Sequence, residues 1–142
     1  MPQPAKLLGA LLAAALSLSA QAESVVCHLN YGGETLYIEA QPTTTPYTVA
    51  ATPIGSFFLF RIVFRQEPAD LASIKLYTYV NRDNGPALIH QASYAYPLGT
   101  TADPANILRG AVNGFSGLHF VYEPLRDGEL QYWCELNTEA AK

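Results

Sequence analysis

The sequence predicts an all-β protein: an antiparallel β-sandwich of immunoglobulin-like size, with seven or eight strands and one disulfide between the first and last of them. Three observations predict it. Apolar and polar residues alternate with period two through most of residues 24–136, and the spacing of an amphipathic helix is nearly absent. Turn formers such as Gly32-Gly33, Asn84-Gly85 and Asp127-Gly128 punctuate the chain, at intervals of roughly ten residues that suit a sandwich. The two cysteines, Cys27 and Cys134, lie near opposite ends and fall on apolar strand faces.

The strands follow in order. Val25, Cys27, Leu29 and Tyr31 alternate with Val26, His28 and Asn30, and Gly32-Gly33 then supplies two positive-φ positions for a tight hairpin into Leu36, Ile38 and Ala40. Pro42, Pro46 and Pro53 confine the next stretch to a sheet edge, because proline cannot donate to a ladder. Residues 57–66 form the most apolar strand, with Phe58, Phe60, Ile62 and Phe64 on the core face. Ile74, Leu76, Thr78 and Val80 continue that face after the turn at "EPAD", and a further strand follows over 87–94. Residues 97–114 break the rhythm; Asp103, Pro104 and Gly110 bracket a short helical turn over 105–109. Two final strands carry Leu118, Phe120 and Tyr122, then Leu130, Tyr132, Cys134 and Leu136, on their apolar sides.

The N-terminus addresses the chain. Lys6, an apolar run over 7–18 and Ser19-Ala20-Gln21-Ala22 form a secretory signal peptide, residues 1–22, leaving residues 23–142 as one β-sandwich domain in the periplasm or outside the cell. The run falls short of the roughly 20 apolar residues of a membrane span, and no later run reaches that length, so no span is expected after cleavage. Losing Lys6 takes the formal charge from −4 to −5, which gives no basic footprint for nucleic acid. Val26 stands where a lipid-anchored cysteine needs a small residue, and Cys134 is the one other sulfhydryl. In an oxidising compartment the pair forms a disulfide.

Three constellations invite chemistry. "GFSGLHF" places Ser116 between glycines with His119 behind it, but the spacing is wrong for a nucleophile elbow and a strand follows where a helix is required. His28, His90 and His119 are the candidates for a metal site, with His28 and His119 adjacent if their strands pair; none has ligand-cage spacing, and neither metal nor cofactor is expected. Pairing 57–66 with 73–80 so that Arg65 opposes Lys75, Val63 opposes Tyr77 and Arg61 opposes Tyr79 gathers Arg61, Arg65, Lys75, Tyr77 and Tyr79 on one outward face. That patch suits an anionic or aromatic partner.

The leader together with "VVCHLNYGGET", "DLASIKLYTY" and "LHFVYEPLRDGELQYWCEL" resembles small exported bacterial proteins of unassigned function, over most of the mature chain. The resemblance implies a periplasmic setting. The expected function is a non-catalytic interaction module binding a protein or envelope component through the Arg61–Tyr79 patch. The alternatives are a small-ligand or carbohydrate-binding module using some of the nine tyrosines, and metal binding through the histidines.

Overall fold

The computed structural model describes residues 22–99 and 112–138. The signal peptide expected over 1–22, apart from Ala22, and the helical turn expected over 105–109 lie outside them. Eight strands form two four-stranded antiparallel sheets: β1 (Ser24–Tyr31), β2 (Glu34–Ala40), β3 (Thr52–Ile54), β4 (Phe58–Arg65), β5 (Ser73–Arg82), β6 (Gly85–Ala95), β7 (His119–Glu123) and β8 (Gly128–Asn137). The first sheet has the order β2-β1-β8-β7, the second β3-β4-β5-β6. Each sheet turns one side-chain set inward, as the period of two requires. Val25, Cys27, Leu29, Leu130, Tyr132 and Cys134 meet Phe58, Phe60, Ile62, Phe64, Ile74 and Leu76 in a single core cluster.

The staple forms as expected. Cys27 and Cys134 oppose one another on neighbouring strands, both are fully buried, and their sulfurs are bonded; no free cysteine exists among the described residues. Gly32 and Gly33 hold φ of 61° and 82°, the mirror-image turn that matches strand twist. The proline-interrupted stretch yields the edge strand β3, preceded by a single 3-10 turn at Pro46–Thr48.

Two sequence expectations need correction. The β4–β5 register is displaced by two residues: Arg65 opposes Ser73, Val63 opposes Lys75, Arg61 opposes Tyr77 and Leu59 opposes Tyr79. The connection over 66–72 contains a 3-10 turn at Ala69–Leu71 and so consumes more chain than a tight turn would. An even displacement keeps every side chain on its face, so the core assignment holds while the like-charge opposition of Arg65 and Lys75 disappears. The faces of β7 are inverted. Glu123, only 2% exposed, turns inward and accepts the Leu125 and Arg126 backbone N–H groups at 3.1 and 2.9 Å, which caps the β7–β8 turn. Val121 and His119 share its inward face, opposite Leu130 and Tyr132. Leu118, Phe120 and Tyr122 therefore face outward and are exposed.

Candidate functional site

The disulfide register carries a consequence for the outer face of the first sheet. In an antiparallel pair with Cys27 opposite Cys134, the next residues in each direction, His28 and Trp133, must also oppose one another, pointing away from the core. Their rings stack at 3.7 Å with an interplanar angle of 11°. Tyr37, opposite His28 on β2, sets its edge against the imidazole at 4.9 Å and remains 67% exposed. Glu135 fixes the histidine from above: its Oε1 lies 2.7 Å from His28 Nε2.

Beside this aromatic row runs a polar one. Thr35 opposes Asn30, Asn30 opposes Gln131, and Gln131 opposes Phe120. Between the rows lies a cavity of about 170 Å³ whose walls include His28, Asn30, Thr35, Leu118, Gln131 and Trp133. Its lining holds no Lys, Arg, Asp or Glu. Gln131 Nε2 donates to Glu129 Oε1 at 3.0 Å, which orients the amide and leaves its carbonyl oxygen available.

The expected patch on the second sheet does share one face, but its chemistry differs from the expectation. Arg61 is engaged: Nε donates to the Val49 carbonyl at 2.9 Å, Nη2 to the Pro46 carbonyl at 2.6 Å, and Nη1 reaches the Tyr79 hydroxyl at 3.4 Å. Its guanidinium lies 5.0 Å from the Tyr77 ring centroid. Arg61 thus straps the 46–49 segment onto the sheet. Arg65 Nε donates to the Glu67 carbonyl at 3.0 Å, and Lys75 lies between Val63 and Ser93. A shallow hollow of about 690 Å³ bounded by Arg65, Gln66 and Glu67 offers little beyond that arginine.

The three histidines divide. β1 and β7 do not pair; they flank β8, so His28 and His119 project from opposite faces of the first sheet. His119 instead meets His90, across the inter-sheet space between the edge strands β6 and β7, at 5.3 Å between ring centroids. Both are held by the protein: His119 Nε2 lies 3.0 Å from the Tyr94 hydroxyl and 3.1 Å from the Ser116 carbonyl, while His90 Nδ1 lies 3.3 Å from the Tyr132 hydroxyl. Burial, and secondarily the charge of His119, lowers the pKa of His90; burial raises those of Tyr94 and Tyr132. Among the described residues no group of three or more His, Cys, Asp or Glu side chains is arranged to hold a metal.

Ser116 has a structural partner. Its Oγ accepts the Cys134 backbone N–H at 2.8 Å and donates to the Gly117 carbonyl at 2.8 Å. The Phe115 N–H donates to the Cys134 carbonyl at 3.0 Å, so "GFSG" supplies β8 with the ladder partners that β7, starting at His119, is too short to give. Gly114 is required there: φ is +59°, and a Cβ would lie 1.9 Å from the Cys134 carbonyl oxygen. His119 addresses the Ser116 carbonyl rather than its hydroxyl.

The outward row of His28, Trp133 and Tyr37 was not singled out in the sequence, although "CHL" and "YWC" around a paired disulfide contain it. No protein-family model, no curated protein and no solved structure matches this chain.

Proposed function

We propose that this protein is a non-catalytic binding module of the periplasm or the cell exterior, and that it docks an envelope component on the outer face of its first sheet. The observation that carries the reading is the outward-facing row of exposed Tyr37 and half-buried His28 and Trp133 beside an uncharged cavity. Aromatic rings that present both an apolar body and a polar edge dominate recognition surfaces. These three are already aligned by strand register, so little side-chain entropy is lost when a ligand settles on them. The buried disulfide supports an oxidising compartment, and among the described residues no helix is long and apolar enough to cross a membrane.

The second-sheet patch is the less favoured surface, because Arg61 holds the 46–49 segment. Co-sedimentation of residues 23–142 with the envelope fraction of the exporting cell separates the two faces. Trp133→Ala with Tyr37→Ala should abolish retention, and Arg65→Ala with Lys75→Ala should leave it unchanged. The reverse pattern would return the function to the second sheet, and retention by both variants would remove both faces.

A further inference from the structure

The lining of the first-sheet cavity specifies the chemistry of what it takes, and this step rests on the reading that the face is the docking surface. We infer that the cavity is a subsite of a trough that binds an extended, uncharged glycan chain lying across the strands. The trough is the space between two cross-strand rows. One is Tyr37, His28, Trp133 and Leu118; the other is Thr35, Asn30, Gln131 and Phe120. The polar row crosses all four strands of the sheet, about 14 Å at the usual interstrand spacing of about 4.8 Å, and the aromatic row crosses β2, β1 and β8, with Leu118, just before β7, at its end. That is the reach of a short oligosaccharide.

A pyranose ring is two-sided: C–H groups cover its faces and hydroxyls ring its equator. The trough has the same division. Trp133 and Leu118 supply an apolar wall, while Asn30, Gln131 and Thr35 supply amides and a hydroxyl, groups that both donate and accept and so match sugar hydroxyls. The Asn30 side chain has no hydrogen-bond partner among the described residues, and Glu129 orients the Gln131 amide from one side. The competing ligands fit less well. An acyl chain would leave the amides without partners. A polyanion would meet Glu39, Glu129 and Glu135, the charged groups at outward positions of this sheet, with no Lys or Arg among them. A peptide strand joins a sheet at its edge, through main-chain hydrogen bonds, and not across its face.

Trp133 is the only tryptophan in the chain, so its emission reports directly on the trough. Residues 23–142 are titrated with linear neutral oligosaccharides of glucose and of N-acetylglucosamine, from monosaccharide to hexasaccharide, and with an oligo-uronate of matching length. The expected result is a saturable emission change with at least one neutral series. Affinity rises about tenfold or more from monosaccharide to trisaccharide and then levels off, and the oligo-uronate binds worse. Gln131→Ala and Asn30→Ala should each weaken binding several-fold by calorimetry without moving the melting temperature. If no neutral oligosaccharide binds while envelope retention still depends on Trp133, the glycan inference falls and the docking face stands. If retention is also indifferent to Trp133→Ala, both fall. Equal binding of the oligo-uronate, or no dependence on chain length, overturns the uncharged trough.

Discussion

Replacing both Cys27 and Cys134 with alanine removes a cross-link that spans 107 residues of sequence. In the chain-entropy description, closing a loop of that length lowers the entropy of the unfolded chain by about 16 cal/mol/K, or about 4.8 kcal/mol at room temperature. A domain of this size has a total stability of roughly 5–15 kcal/mol, so the variant should sit near the edge of folding. Urea unfolding followed by tyrosine and tryptophan emission measures it. The comparison must be made in extrapolated free energy rather than midpoint, because the uncrosslinked chain exposes more surface on unfolding and its m-value rises. Both cysteines have no exposed surface. Thiol reductant applied to the native protein should therefore act only as fast as the domain opens, and several-fold faster once urea populates the unfolded state. A loss below about 2 kcal/mol would refute the entropic account and imply that the unfolded chain keeps β1 near β8. Immediate reduction under native conditions would refute the burial.

Phe60→Ala should cost about 3–5 kcal/mol, since the ring is fully buried and packs edge-to-face on Tyr132 at 4.9 Å, whereas Tyr79→Ala should cost about 1 kcal/mol; equal losses in urea melts would show the faces of the second sheet to be misassigned. Ser116→Ala leaves the Cys134 N–H without its acceptor and should lower stability by about 1–3 kcal/mol in the same assay, while a serine held ready for catalysis would show little or no loss. Thr78 Oγ1 is buried without a partner among the described residues, so Thr78→Val should raise the melting temperature by a few degrees; a fall would reveal a hydrogen bond to that hydroxyl. The folded pKa of His90 is depressed below 6.5, so at pH values near and below 6.5 the unfolded chain binds more protons and stability falls as the pH drops, the contribution being complete above 6.5. Urea midpoints measured from pH 8 down to about 5, above the carboxylate range, should decline in the wild type and decline less in His90→Gln. Parallel profiles would remove His90 as the cause.

Period-two alternation made the eight strands legible, and compartment chemistry made the disulfide legible. Where expectation failed, a side chain chose its face for a reason that hydropathy does not encode. Leu118, Phe120 and Tyr122 look like the inward set of β7, yet Glu123 is drawn inside by two backbone N–H groups and the period carries His119 and Val121 in with it. The apolar trio is left facing water. The β4–β5 register was underdetermined for a related reason: a displacement by two residues preserves every hydrophobic contact class, and the 3-10 turn at Ala69–Leu71 has no strong sequence signal to fix the connection length. Arg61 read as a free cation because its acceptors are main-chain carbonyls at Pro46 and Val49, and carbonyls are invisible in a list of side chains.

The staple and the proposed trough are two sides of one piece of backbone. Cys27 and Cys134 face inward from β1 and β8, and their sequence neighbours His28 and Trp133 face outward from the same two strands, at the adjoining register position. The bond that closes the core from within therefore also fixes, from beneath, the separation and alignment of the two stacked rings. On the other flank of β8, the Ser116 hydroxyl and the Phe115 N–H bond the main chain of Cys134 itself, so the strand is gripped on both edges at the residue next to Trp133. A binding surface gains affinity when the cost of ordering it has been met before the ligand arrives. Residues whose sequence pattern resembles catalysis ("GFSG") and residues joined as a disulfide (Cys27, Cys134) thus converge on one structural task, the rigidity of the Trp133 platform. That convergence, which the second sheet's strapped arginine has no counterpart for, is the physical reason to look for the ligand on the first sheet.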